Sequence, residues 1–213
     1  MYIPHHFQAP GIAAMHALMA DRALATLVTL NGGRMDANHI PLHFEPQASL
    51  NGSLQGHIAK ANPIYAGANE KIDALAIFHG PDSYVSPNWY PTKQEHGKVV
   101  PTWNYIVVHA RGKLRFIDDP VWIRAQLDTL TAQHEAAFTP AWKTGDAPPE
   151  YIDRMMTAIV GIEIAVETLE GKWKISQNQP RQNQQGVIAG LKSASQPDGL
   201  AIAAWMAASE REG

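Results

Sequence analysis

Apolar positions along this chain recur in two rhythms, the period of two of a strand and the three-to-four spacing of an amphipathic helix. "ALATLVTL" (23–30) is apolar and β-branched, and "NGG" (31–33) behind it signals a tight turn. "RMDANHIPLHFE" (34–45) then reads as the second arm of a hairpin. "SLNGSLQGHIAKANP" (49–63) predicts a further turn and strand, and "KIDALAIFHGP" (71–81) a buried strand closed by Gly-Pro. "KVVPTWNYIVVHARGKLRFID" (98–118) predicts a long hairpin turning near Arg111-Gly112. Helical spacing marks "PGIAAMHALMADR" (10–22) and "DDPVWIRAQLDTLTAQHEAAF" (118–138). In the latter Asp-Pro supplies a start signal, and Trp122, Ile123, Leu127 and Leu130 form the apolar stripe. "APPEYIDRMMTAIVG" (147–161) predicts another helix, ending near Gly161 and running into the strand "IEIAVETLEGKWKIS" (162–176). The tail, "QQGVIAGLKS" and "GLAIAAWMAASE", reads as helical.

About six to eight strands, clustered helices and Gly/Pro turns predict a mainly β protein with helices, an α+β barrel with peripheral helical decorations. No β-α-β alternation, G-x-G-x-x-G or G-x-x-x-x-G-K-[ST] is present, which excludes the common dinucleotide and P-loop sites. At 213 residues the chain is expected to form one domain with decorations, or at most two small domains.

Composition narrows the picture further. With no cysteine, disulfides and thiolate chemistry are impossible. The start, "MYIPHHFQAPG", lacks the features of a signal peptide. No apolar run is long enough to span a membrane as a helix. The chain therefore reads as cytoplasmic. A net charge of −3 gives no basic surplus of the kind nucleic-acid binding favours.

Ten histidines invite a metal reading. The best pair, His39 and His43, is about 13 Å apart on a strand and cannot share one ion. No G-x-S-x-G elbow supports a hydrolase. Lys60 and Asn62 in "GHIAKANP" (56–63) read either as an anion clamp at a strand end or as a surface lysine before an Asn-Pro turn. Lys172, Lys174 and Ser176 alternate on one strand face, and read either as an anion site or as lysines guarding a sheet edge.

The segment "YVSPNWYPTKQEHGKVVPTWNY" (84–105) combines large rings, hydroxyls, amides and rigid prolines with almost no acid. That mixture suits a surface for a flat, hydrogen-bonding ligand. Alternation sends Thr102 and Asn104 to one face and Trp103 and Tyr105 to the other. The polar edge of such a ligand needs donors and acceptors, which assigns Thr102 and Asn104 to the ligand and Trp103 and Tyr105 to packing in the barrel or a dimer seam. The reverse arrangement, with Trp103 stacking on the ligand, is the alternative.

"MYIPHHF", "HIPL" (39–42), "GHIAKANP", "HGPDSYVSPNWYPTK" (79–93), "VPTWNY" (100–105), "VHARGKLRFIDDP" (108–120), "GKWKISQN" (171–178) and "GVIAGL" (186–191) resemble, in order, the PaiB-type family of FMN-binding negative transcriptional regulators. The resemblance implies a split β-barrel related to the pyridoxamine phosphate oxidase and flavin reductase folds over residues 1–192, followed by a helical tail (193–213). It implies a homodimer with FMN at the shared edge, and negative regulation of genes with DNA bound directly or through another protein. Mapped onto these motifs, the expected flavin residues are His57, Lys60, Asn62, Ser86, Trp89, Tyr90, Thr102, Asn104, Lys174, Ser176 and Gln177. Asn38 stands where the family pattern has Thr, and Gln179 where it has Arg. A flavin-dependent oxidoreductase is the alternative activity, with His57 and Tyr90 as its first acid–base candidates.

Overall fold

The computed structural model describes residues 1–31, 33–47, 51–65 and 71–209. Gly32 of the first expected turn, and Ser49 and Leu50 of the second, lie outside the described residues.

Seven strands form one sheet in the order β2-β1-β5-β6-β7-β4-β3. They are β1 (Leu24–Asn31), β2 (Arg34–Pro41), β3 (His43–Glu45), β4 (Ser53–Ala59), β5 (Ile72–Val85), β6 (Thr102–Ile117) and β7 (Ile159–Lys174). β1 and β2 form the expected hairpin, in antiparallel register from Leu24 opposite Pro41 to Asn31 opposite Arg34. The other edge of β1 pairs antiparallel with β5, from Thr26 opposite Ile77 to Leu30 opposite Asp73. β4 pairs antiparallel with both β3 and β7. Among the described residues, six helices accompany the sheet: α1 (Ile12–Asp21), α2 (Thr92–His96), α3 (Pro120–Glu135), α4 (Pro149–Thr157), α5 (Arg181–Ala194) and α6 (Pro197–Ser209). The cap expected at α3 is present, since the Asp119 carboxylate accepts from the Val121 amide at 2.9 Å.

Three punctuation marks in the sequence are not breaks. Residues 102–117 form one unbroken strand, not a hairpin turning at Arg111-Gly112. Gly112 serves close approach, because a Cβ there would collide with the Ala165 carbonyl of β7. Gly80-Pro81 likewise falls inside β5, where a missing backbone donor interrupts a ladder without ending the strand. Gly161 is inside β7 rather than at a helix end, because the Trp122 ring lies where its Cβ would be.

The chain divides into two compact units. The first comprises Met1–Met15, His79–Val108 and the chain from Glu170 onwards, and the second comprises His16–Phe78 and His109–Leu169. Leu27, Leu42, Leu54, Phe78, Leu114, Ile162 and Ile164 are fully buried in the second unit. In the first, Trp173, Ile106, Leu191, Ile202 and Met206 play that part, so the tail helix α6 contributes directly to a core.

Candidate flavin site

The sequence-expected residues fall into both units. His57, Lys60 and Asn62 belong to the second, and Ser86, Trp89, Tyr90, Thr102, Asn104, Lys174, Ser176 and Gln177 to the first.

In the second unit, β4 carries His57 near its end and the chain turns immediately afterwards through Lys60 and Asn62. The Lys60 ammonium meets the Asp118 carboxylate at 2.8 Å. The Asn62 side-chain amide donates to Asn38 Oδ1 at 2.8 Å, and its oxygen accepts from the Ile64 backbone at 3.1 Å. His57 Nδ1 lies 2.9 Å from Gln126 Oε1 on α3. Two partners thus join the expected set, and each keeps one unmet demand. Among the described residues, Asn38 Nδ2 and Gln126 Nε2 are buried with no hydrogen-bond partner. A buried amide left unpaired costs about 1–3 kcal/mol, so both donors fit an acceptor-rich ligand. Gln126 was legible in principle: it is a buried polar residue in the i, i+3 step from Ile123, within the apolar stripe of α3.

In the first unit the arrangement is reversed. Asn104 is fully buried, and its amide exchanges hydrogen bonds with the Ser176 hydroxyl at 3.0 and 3.1 Å. Asn104 Nδ2 also lies 3.7 Å from Met206 sulfur on α6. Asn104, expected to face the ligand, has its amide engaged by this exchange. The period-two alternation of β6 carries Asn104, Ile106 and Val108 to the interior face. Trp103 stands 55% exposed, edge-on to Tyr84 with ring centroids 5.9 Å apart. Ser176 adopts a φ of 65°, and the Asn104 exchange helps hold it there. That left-handed conformation costs a non-glycine residue about 1–3 kcal/mol. Gln177 folds back on its own strand end, accepting from the Ile175 amide and donating to the Trp173 carbonyl. Ser86 accepts from the Asn88 amide at 3.2 Å as the cap of a short 3-10 turn. The Trp89 backbone and indole lie against Gly186 and Gly190 of α5, where any Cβ would collide with them.

Two cations of this unit have no acid among the described residues. Lys174 donates to the Thr102 hydroxyl at 2.7 Å and to the Trp103 carbonyl. Lys172 donates to the Tyr2 carbonyl at 3.2 Å and sits 5.3 Å from the Tyr105 ring centroid, a cation–π contact. Among the described residues, neither makes an ion pair with a carboxylate. Burial and then the Lys172 charge hold the Lys174 ammonium below the ordinary lysine range. A phosphate would remove that penalty.

FMN offers phosphate oxygens together with ring carbonyls and ring nitrogens. The orphaned amides of one unit and the uncompensated ammonium groups of the other therefore each suit it. The seven-strand α+β architecture is a split-barrel fold of the kind seen in flavin-binding proteins. The chain belongs to the "Putative FMN-binding domain" family, which it matches over residues 1–168, and FMN is the cofactor this assignment gives it.

Similarity extends along nearly the whole chain. It is 32% identical over 227 residues to an uncharacterized protein of Emericella nidulans, covering 90% of each. It is 28% identical over 206 residues to the protease synthase and sporulation protein PAI 2 of Bacillus subtilis, covering 97% of this chain and 96% of that one. Among solved structures, the FAD and heme binding protein of Mycobacterium smegmatis shares the fold with a TM-score of 0.58 at 17% identity, covering 86% of this chain and 80% of its own. A conserved hypothetical protein of Mycobacterium tuberculosis has a TM-score of 0.56 at 11% identity, covering 85% of this chain and 95% of its own.

Proposed function

We propose that this protein is an FMN-holding homodimer that lowers the expression of target genes. The observation that carries the reading is the end-to-end similarity to the Bacillus subtilis PAI 2 protein, together with the family match. A net charge of −3 favours action through a partner protein or a locally gathered basic patch over a broad DNA-binding face. The dimer reading is supported by Trp103 and Tyr84, an edge-on pair of exposed rings. An apolar cluster left in water marks a docking face.

For the flavin phosphate, the second unit by itself offers Lys60 and Asn62 as one candidate clamp, and the first by itself offers Lys174 as another. The exposed Lys60–Asp118 pair is worth about 0–1 kcal/mol, so a dianionic phosphate can displace Asp118. Asn104, Ser176 and Gln177 shape the site from behind, because their polar atoms are already engaged within the protein. When bound, FMN supplies the redox-active ring, and the chain's residues bind and orient it.

The test is a gel shift on upstream DNA at about 150 mM salt, with and without FMN and with cell extract as a source of partner. A flavin-dependent shift is expected. Stoichiometric bleaching of bound FMN by NADH without any shift would replace the regulator with an oxidoreductase. Light scattering that gave a 23.3 kDa particle would remove the dimer.

A further inference from the structure

The first unit holds a cavity of about 220 Å³ between the α2 segment, the loop behind it and the start of α5. That is ample for several waters or a small metabolite fragment. Tyr90, Thr92, His96, Lys98, Gln179 and Asn183 supply its polar lining, and no carboxylate lines it.

Its polar groups are nearly all donors. Tyr90 is only 4% exposed, and its hydroxyl finds no partner among the described residues. That hydroxyl keeps open contact with the cavity, so a group bound there can accept its proton. Burial also pushes the Tyr90 hydroxyl above the ordinary tyrosine range, which keeps its proton in place. His96 Nδ1 accepts from the Lys98 backbone amide at 3.0 Å, so in the neutral ring the proton sits on Nε2 as a donor. The Lys98 ammonium makes no ion pair or hydrogen bond among the described residues. Gln179 uses its oxygen to accept from Asn183 at 3.1 Å, which leaves its own amide group to donate.

The acceptors of the lining, in contrast, are already consumed. Asn183 Oδ1 takes both the Thr92 amide, at 3.4 Å, and the Thr92 hydroxyl, at 3.1 Å. The start of α5, a helix of 14 residues with Pro180 as its N-cap, has no side-chain cap. Its first amides and the positive end of its dipole therefore favour an anion. Glu95, the acid on α2, is turned to Gln182 at 3.1 Å.

We propose that this cavity binds a small oxyanion, a phosphate monoester or a short carboxylate, as a ligand separate from FMN, so that Tyr90, which the family motifs map to the flavin, serves this site instead. Tyr90 and Gln179 donate to it, Lys98 neutralises it, and the α5 terminus orients it. Such a site would let the protein respond to a metabolite as well as to its flavin.

The experiment is calorimetric titration of inorganic phosphate, and of acetate in parallel, into the FMN-saturated full-length protein in a phosphate-free buffer. Saturable binding of at least one of the two is expected. Tyr90→Phe, which removes only the hydroxyl, should weaken it about tenfold with the melting temperature kept, and Lys98→Ala about tenfold with FMN affinity unchanged. The proposal is overturned if neither anion binds the FMN-loaded wild type, or if binding survives both substitutions. It is equally overturned if Lys98→Ala lowers FMN affinity in step with anion affinity, which would make the cavity part of the flavin site.

Discussion

Lys60 and Lys174 are candidate flavin cations in different units of the chain, and they show opposite deficits. Lys60 is a partly exposed cation paired with a carboxylate at 2.8 Å, and in its unit the unmet groups are the neutral amides of Asn38 and Gln126. Lys174 is half-buried, repelled by Lys172 and without an acid among the described residues, while Asn104, Ser176 and Gln177 are satisfied. One region lacks acceptors and the other lacks negative charge. Each deficit is one that a phosphate-bearing flavin can meet. The lesson is that a binding site is marked by what its groups still need, and charged residues alone are a poor guide to that.

The sharpest way to break the comparison is to remove each cation in turn. Lys174→Ala and Lys60→Ala should each lower FMN affinity, by about tenfold to a hundredfold for a charge-assisted contact of about 1.5–3 kcal/mol. Lys174 is expected to show the larger loss, because Lys60 must first release Asp118. Titration followed by flavin fluorescence decides it, and wild-type affinity in both variants would mean the phosphate is held elsewhere.

Next comes the contrast between neighbouring residues of β6. Asn104→Ala leaves the Ser176 hydroxyl unpaired in a dry interior and should destabilise the apo protein by about 1–3 kcal/mol. Trp103→Ala on the exposed face should leave monomer stability within about 1 kcal/mol and shift the oligomeric state instead. Chemical denaturation beside light scattering separates the two, and a strongly destabilised Trp103→Ala monomer would refute this division of roles.

Asp118→Asn removes the competitor of the phosphate for Lys60. FMN should bind a few-fold tighter, with stability changed by no more than about 1 kcal/mol. Weaker binding would show Asp118 to be part of the site.

The smallest effect concerns protonation. The Lys174 pKa is lowered in the folded state relative to the ordinary 10.5, so the unfolded chain holds its proton more tightly. The resulting penalty on folding is fully present below the folded pKa and fades as pH rises towards 10.5. Lys174→Met should therefore raise the apo melting temperature slightly near neutral pH. The gain should shrink on alkaline titration, and a gain that grew with pH would contradict this sign.

Local sequence by itself determined most of the elements. The β1–β2 hairpin and the Asp119-capped α3 depend on residues close in the chain, where side-chain period and capping chemistry act directly. The motifs around Lys60, Trp89 and Lys174 likewise carry the flavin family in their letters alone. Tertiary structure alone decided the meaning of the glycines. Gly112 and Gly161 carry the same letter as a turn glycine, but they are there because the Ala165 carbonyl and the Trp122 ring come from distant parts of the chain to lie against them. It also decided which face of β6 is dry. Alternation fixes that Thr102 and Asn104 share a side. Only packing of Asn104 against Ser176 and Met206, far along the chain, turns that side inward. The pairing of Asn62 with Asn38 and of His57 with Gln126 is of the same kind, because a hydrogen bond between distant residues leaves no period in the sequence.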